Sequence, residues 1–553
     1  MKKSLLYKSY AAGLFSALAL SFLSCGSTSV AKGVEPLSRR ANGARQGVYY
    51  SLFVRSFADS NGDGIGDFNG ITAKLDYLND GDDSTTNDLG ITGIWLLPIY
   101  PTQTYHGYDV DDYYGVNPEY GTMEDFERLI QECKKRGISV ILDMTCNHSS
   151  TFTDWFTASR DPSDPHHDWY RWITAEDKKY NINQQMWGHK VWNEDRKFKG
   201  NYYAGLFGPH MPDYNLDSPA LREEFKKVMK FWLDKGVAGF RYDAAGHIYN
   251  SAKTPAGTNS TEQAIAWWKE ITDYNKSINP DTYNVGEVWE NNTIRSQYLA
   301  GLGSDFHFDM GTRIIDTIRY GDDGNNTFAN GMQADYKRMA QSNPDYLDAP
   351  FLSNHDQPRA AGLLKGDVEM CKAAASLYMF TEGIPFVYYG EEIGMRSGTD
   401  DPSKRTPMLW KGTNSDGKPK DRLQTSWSES RYNVKTIPVS EQEKDPESLL
   451  QHYKKIIRVK TAHPALYEGK FTAVGTGSDK VSSWQMKSAE ETAFVMVNVS
   501  GEDVNVEIPK DYQGFKAAFE SYAEGTVITG NEASISAITI PAYSTVILSS
   551  GEF

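Results

Sequence analysis

The chain has 553 residues, a formal net charge of -16 at pH 7 and four cysteines. That length permits a large core with satellite domains, and the negative charge excludes nucleic acid and bare anionic lipid as natural partners while leaving neutral ligands easy to accommodate. Beyond Cys25, the cysteines Cys133, Cys146 and Cys371 show neither paired spacing nor a C-x-x-C, so buried thiols are expected rather than a zinc ribbon.

At the N-terminus Lys2, Lys3 and Lys8 precede an apolar stretch over 11–23, which reads as a signal peptide, residues 1–24. The stretch is short of the ~20 residues a membrane span needs. Cys25 follows Phe22-Leu23-Ser24, the arrangement of a lipoprotein processing site, although Phe22 stands where Leu is usual. Residues 25–46, rich in Ser, Gly, Ala and Arg, read as a tether from a lipidated Cys25. The expectation is an exported monomer, held to a bacterial membrane at the cell surface or in the periplasm only through that anchor, or else secreted.

Short apolar runs then recur at 48–57, 91–98, 138–143, 239–243, 283–287, 305–309, 351–356 and 384–389. Helical intervals separate them, such as 122–135, where Met123, Phe126, Leu129 and Ile130 share a face. Eight alternations predict an α/β fold, a (β/α)8 TIM barrel made of residues 47–148 and 213–465. The interval after His148 is too long for an ordinary strand-to-helix loop and predicts an inserted domain B over 149–212. From 466 to 553 period-two runs such as 492–499 predict a C-terminal antiparallel β-sandwich.

In such a barrel the chemistry is expected where apolar runs end. Four segments fit: Asp143-Met144-Thr145-Cys146-Asn147-His148, Gly239-Phe240-Arg241-Tyr242-Asp243, Val285-Gly286-Glu287-Val288-Trp289 and Phe351-Leu352-Ser353-Asn354-His355-Asp356. Any one carboxylate could be a cap or a salt-bridge partner. Three of them, Asp243, Glu287 and Asp356, focused on one spot cost repulsion and desolvation that a structural role rarely justifies. A further cluster, Asp59-Ser60-Asn61-Gly62-Asp63-Gly64-Ile65-Gly66-Asp67, sets oxygen ligands at alternate positions around glycines, which suits a hard cation, calcium best. The twelfth position is Gly70 rather than Glu, so it is not an EF-hand. Its bland alternative is a solvated turn.

The order and wording of the four segments resemble the α-amylase family of glycoside hydrolases, family 13, over nearly the whole chain after residue 45. The resemblance implies that Asp243 is the nucleophile of a retaining mechanism, Glu287 the general acid/base and Asp356 the transition-state stabiliser. It implies that Arg241 holds Asp243 ionised, that the apolar neighbours of Glu287 raise its pKa, and that Tyr108, His148 and His355 contact the same sugar. It further implies a structural Ca2+ on Asp59, Asn61, Asp63 and Asp67 with the Ile65 carbonyl, and a second between barrel and domain B on Asn147, Asp213 and His247.

Met211-Pro212-Asp213-Tyr214-Asn215 has a form intermediate between oligo-1,6-glucosidases and neopullulanases, and Ala244 stands where 1,6-specific relatives carry Val. Tyr105 replaces the Asp that closes the pocket of exo-acting relatives. Together these imply internal cleavage of α-1,4 bonds in starch-like glucans and maltooligosaccharides. Gly246, where many α-amylases have Lys, is a departure on the leaving side. An α-glucosidase or glucanotransferase on the same scaffold is the alternative, and a non-catalytic glucan-binding lipoprotein or a calcium-dependent adhesion protein would not explain three retained carboxylates.

Overall fold

The computed structural model describes residues 36–414, 419–520, 527–531 and 534–551. The signal peptide and Cys25 readings lie outside these residues. Eight parallel strands form one sheet: β1 Tyr49–Leu52, β2 Gly93–Leu96, β3 Ser139–Thr145, β4 Gly239–Asp243, β5 Tyr283–Gly286, β6 Ser304–Phe306, β7 Leu347–Ala349 and β8 Phe386–Tyr388. Neighbours pair in the order β7-β6-β5-β4-β3-β2-β1-β8. A parallel bridge from Phe351 to Phe386 brings the two ends together and completes the barrel.

Local sequence explains the elements. Thr122 and Asp125 form a reciprocal capping box that starts the helix Met123–Lys135, and Phe126, Leu129, Ile130 and Cys133 form its buried face. Gly239, which opens β4, has φ 153° and lies so close to β5 that a Cβ would fall 1.8 Å from the Tyr283 carbonyl oxygen. Only glycine allows that strand approach.

Most expected runs are shortened at their ends, and three differ in ways that matter. The first keeps only Tyr49–Leu52 as strand before a one-turn helix, Val54–Phe57. The sixth is Ser304–Phe306, after which a helix begins at Phe308. The seventh strand is Leu347–Ala349, not 351–356, and Phe351 and Leu352 pack as buried loop residues beyond it. Asp356 therefore sits on a loop.

Between β3 and the helix Pro219–Asp234 the inserted segment makes a three-stranded antiparallel sheet of Trp172–Thr174, Trp192–Glu194 and Asn201–Ala204, and a hairpin of Gln185–Met186 with His189–Lys190. It has its own small core of Ile173, Val191, Trp192, Ala204 and Leu206. The C-terminal strands form a five-stranded and a three-stranded antiparallel sheet, which share a core including Phe494, Met496, Val506, Ile538 and Leu548. These are the two layers of a sandwich. Cys133, Cys146 and Cys371 are free and buried. Among the described residues no helix is long and apolar enough to cross a membrane.

The chain enters the barrel from its N-terminal face. Leu37 and Arg39 line a groove there with Asp83, Asp88 and Gly90, and the Arg40 and Ala41 amides donate to the Thr461 carbonyl.

Candidate active site

The C-terminal ends of the strands open into a cleft of about 680 Å³. Asp243 ends β4, Glu287 follows β5, His148 follows β3, and His355 and Asp356 lie on the loop after β7. All of them line or adjoin this cleft together with Tyr108.

Arg241 organises the floor. Its side chain is buried, Nη1 meets Asp143 Oδ1 at 2.7 Å and Asp243 Oδ1 at 2.9 Å, and Nη2 meets Glu287 Oε2 at 2.8 Å. Three carboxyls thus face one guanidinium. Glu287 Oε2 also accepts the Ala244 amide at 2.9 Å. Opposite them, Asp356 is bound by Arg405 at 2.9 Å and by His355 Nε2 at 3.1 Å. Tyr108 stacks on His355, and its hydroxyl lies 2.9 Å from Asp143 Oδ2 and 2.6 Å from His355 Nε2. His148 is buried with Nδ1 beside the Asn147 amide at 3.2 Å, while its Nε2 has no protein partner.

The electrostatics follow from this count of charges. Burial pushes Asp243 up to about 7, and Arg241 only partly opposes it, because Asp143 and Asp356 add like charge. The expected depression of the Asp243 pKa by Arg241 is therefore overridden. Burial likewise lifts Glu287 to about 7 against the pull of Arg241. Its expected apolar wall is only half present, since Val288 is buried but Trp289 is 51% exposed and stacks on Phe308. Asp143 is raised to about 6 for the same reason, burial. Burial pushes Asp356 up as well, yet His355 and Arg405 hold it well below the ordinary carboxylate range. Burial pushes the His148 imidazole down to about 3, leaving it neutral. At neutral pH the Asp143-Asp243-Glu287 group thus retains proton occupancy as a coupled set, while Asp356 stays ionised.

These observations meet a sequence comparison. The sequence model of the alpha amylase catalytic domain matches residues 51–469. The chain belongs to the α-amylase family of glycoside hydrolases, family 13. Residues 481–547 match the model described as the alpha-amylase SusG C-terminal domain. Among curated α-amylase relatives, alpha-amylase 3 of Dictyoglomus thermophilum is 40% identical over 460 residues, 82% of this chain and 85% of the relative. The 4-alpha-glucanotransferase of Thermotoga maritima is 30% identical over 467 residues, 83% of this chain and 96% of the relative. The crystal structure of the α-amylase from H. orenii superposes with a TM-score of 0.82 at 36% identity, covering 91% of this chain and 99% of that one.

Some residues of the cleft carry little signal in the sequence. Asp143 was visible only as part of a motif, and its partner Arg241 is distant in sequence. Arg405 follows a helical turn, Asp401–Lys404, with no apolar run to mark it. Trp187, on the domain B hairpin, is 57% exposed with φ 50° and packs against Phe207 and His247 at the cleft. Strain of that kind at a binding surface is often retained for function.

The two expected ion sites differ. In the Asp59–Asp67 loop, Asp59 accepts the amides of Asn61, Gly62 and Gly64, and Asp63 accepts that of Ile65. Asp67 caps the helix Phe68–Ala73 through Gly70 and also binds Ser60. The donors are all oxygen and keep further lone pairs, so the loop fits calcium by chemistry, although no three Asp, Glu, His or Cys converge as a cation site among the described residues. The junction site does not fit. The Lys253 ammonium lies 2.6 Å from Asn147 Oδ1 and 3.5 Å from Asp213 Oδ1, and the His247 carbonyl accepts the Asn250 amide at 3.0 Å. The second calcium on Asn147, Asp213 and His247 is thus corrected: a lysine stands there. Burial lowers that ammonium to about 8, with Asp213 pulling the other way.

Proposed function

We propose that this α-amylase-family enzyme cleaves internal α-1,4 bonds of starch-like glucans with retention of anomeric configuration. The sharing of one guanidinium by Asp243 and Glu287 is the observation that carries the hydrolytic reading, because it draws two carboxyls to one spot, as a retaining pair at ~5–5.5 Å needs. Asp243 attacks the anomeric carbon as Glu287 gives its proton to the glycosidic oxygen, and the C–O bond to the leaving sugar breaks. Water then adds at the same carbon, giving its proton to Glu287 and releasing Asp243. Asp356, ionised beside Arg405, accepts sugar hydroxyl hydrogen bonds that strengthen as positive charge develops. Neutral His148, whose Nε2 has no protein partner, would offer that nitrogen to the same ring.

Internal cleavage is supported by the donor end of the cleft. Tyr105 stacks on Trp427 with the Arg405 guanidinium 5.8 Å from its ring centre. A carboxylate at 105 could pair with Arg405 and close the cleft, and a tyrosine cannot form that pair. Transfer to a sugar acceptor is the second reading, favoured by the exposed Trp187 and Trp289 on the leaving side, which are suited to stacking an incoming ring.

A calcium ion held by Asp59, Asn61, Asp63, Asp67 and the Ile65 carbonyl belongs to the same proposal, with a structural role. So do export and a lipid anchor at Cys25. A time course of products from soluble starch and maltoheptaose, with the anomer followed by NMR, tests the reading. Early mixed α-maltooligosaccharides, absent with Asp243→Asn and Glu287→Gln, are expected. Glucose as the sole early product would overturn internal cleavage, longer products would establish transfer, and turnover by either variant would overturn the assigned roles.

A further inference from the structure

The junction between the barrel and domain B is built around the buried Lys253 ammonium, with the Arg171 guanidinium nearby paired to Asp217. Lys253 lies in the loop after β4 and is 0% exposed. Its ammonium donates to Asn147 Oδ1 at 2.6 Å, from the loop after β3, and pairs with Asp213 at 3.5 Å, from the closing segment of domain B. The two acceptors are joined to each other, since Asn147 Nδ2 donates to Asp213 Oδ1 at 2.7 Å. Asp213 Oδ2 accepts the Leu206 amide at 2.8 Å, which extends the network into domain B. The same Asn147 Nδ2 lies 3.2 Å from His148 Nδ1.

We infer that Lys253 is a built-in cation that replaces a divalent ion at this junction, ties three separate segments together without metal, and positions His148 at the cleft through Asn147. Charge and coordination both support it. A calcium ion asks for 6–8 oxygen ligands at 2.3–2.6 Å, whereas here one oxygen is engaged by an ammonium, one carbonyl is turned to Asn250, and of the three expected ligands Asp213 alone carries a charge. One ammonium balances one carboxylate. Adding a divalent ion would leave buried charge in excess, which is strongly disfavoured. Lys253 is a positioning residue, since it reaches the sugar only through Asn147 and His148. The inference rests on the junction geometry and not on which glucan the cleft prefers.

The test compares the full chain with Lys253→Ala, which opens room for an ion, and with Lys253→Met, which fills the space without charge. Calcium binding is followed by titration calorimetry and melting temperature, and activity on maltoheptaose with and without chelator. Only the difference between variants is read, so an ion in the Asp59–Asp67 loop does not enter the comparison. Lys253→Ala should bind one more calcium than the parent and gain at least about 2 °C in Tm on adding calcium beyond the parent's own response. Lys253→Met should gain neither, and its kcat/KM should fall about 10–100-fold through misplacement of His148. Calcium should recover kcat/KM in Lys253→Ala alone. Equal calcium stoichiometry in the parent and Lys253→Ala would overturn the inference, as would a Lys253→Ala chain that cannot be obtained folded from calcium-containing medium. Limited proteolysis supplies an independent check: chelation should accelerate cleavage within 149–212 about tenfold or more in calcium-loaded Lys253→Ala beyond the parent's own response, as expected when a native-state ion is withdrawn, and an equal response in both would overturn the inference.

Discussion

Replacing Arg241 by Met removes the guanidinium that faces Asp143, Asp243 and Glu287 together, at 2.7, 2.9 and 2.8 Å. The volume is nearly kept, so the loss is electrostatic. Breaking a buried pair from one side costs about 3–5 kcal/mol because the other charge is left uncompensated, and here three partners are left. The sign follows from the pKa values. Asp243 and Glu287 stand at about 7 in the folded chain, above their ordinary values of 3.8 and 4.5, so their ionisation already weakens folding as pH rises from the ordinary values to about 7. Without Arg241 their folded pKa values rise further. The difference between parent and variant therefore opens above pH 7 and is smaller at pH 5, where Asp243 and Glu287 are protonated in both. Equilibrium denaturation at pH 5 and pH 8, with scanning calorimetry alongside, measures it. We expect the full cost of roughly 3–5 kcal/mol at pH 8 and less than about half of it at pH 5. In an Asp243→Asn, Glu287→Gln background the same substitution should cost less at pH 8. An equal penalty at both pH values would refute the electrostatic account and leave packing as the cause.

Chelation should lower Tm while leaving the initial rate at low temperature nearly unchanged, since the proposed ion binds the Asp59–Asp67 loop away from the carboxyls. At a free calcium level about 100 times its dissociation constant, the ion contributes about 2.7 kcal/mol; a melting temperature unaffected by chelator would remove the ion from the account. Trp187→Ala should raise KM for maltooligosaccharides about 2–10-fold with folding unchanged, as expected for loss of one stacking contact of 0.5–1.5 kcal/mol. An unaltered KM in steady-state kinetics would show that the hairpin tip does not touch substrate.

The barrel was legible where apolar runs end in functional residues, because strands buried on both faces are continuous in sequence. Legibility failed at β7 for a physical reason. Leu347–Ala349 is short and carries Asp348, which is buried against His307 at 2.9 Å, so it lacks an apolar signature. Phe351 and Leu352 supply that signature from the loop, where Phe351 packs on Phe306 and Phe308. Asp243 and Glu287 lie at the ends of strands that the apolar runs mark, whereas Asp356 is marked by the apolar loop run of Phe351 and Leu352 and not by a strand. Arg405 and Lys253 act from irregular loops, where no periodicity constrains what a side chain meets. The junction shows the limit of motif transfer, since Asn147 and Asp213 are both present and the charge between them is an ammonium.

The entry of the chain beside Leu37 and Arg39 has a consequence for access. That groove lies among loops at the strand beginnings, while the cleft lies at the strand ends. Front and back of the molecule are thus divided between two tasks. Residue 36 stands on the opposite side of the barrel from the cleft, so contacts made at the rear would leave the approach to Asp243, Glu287 and Asp356 unobstructed.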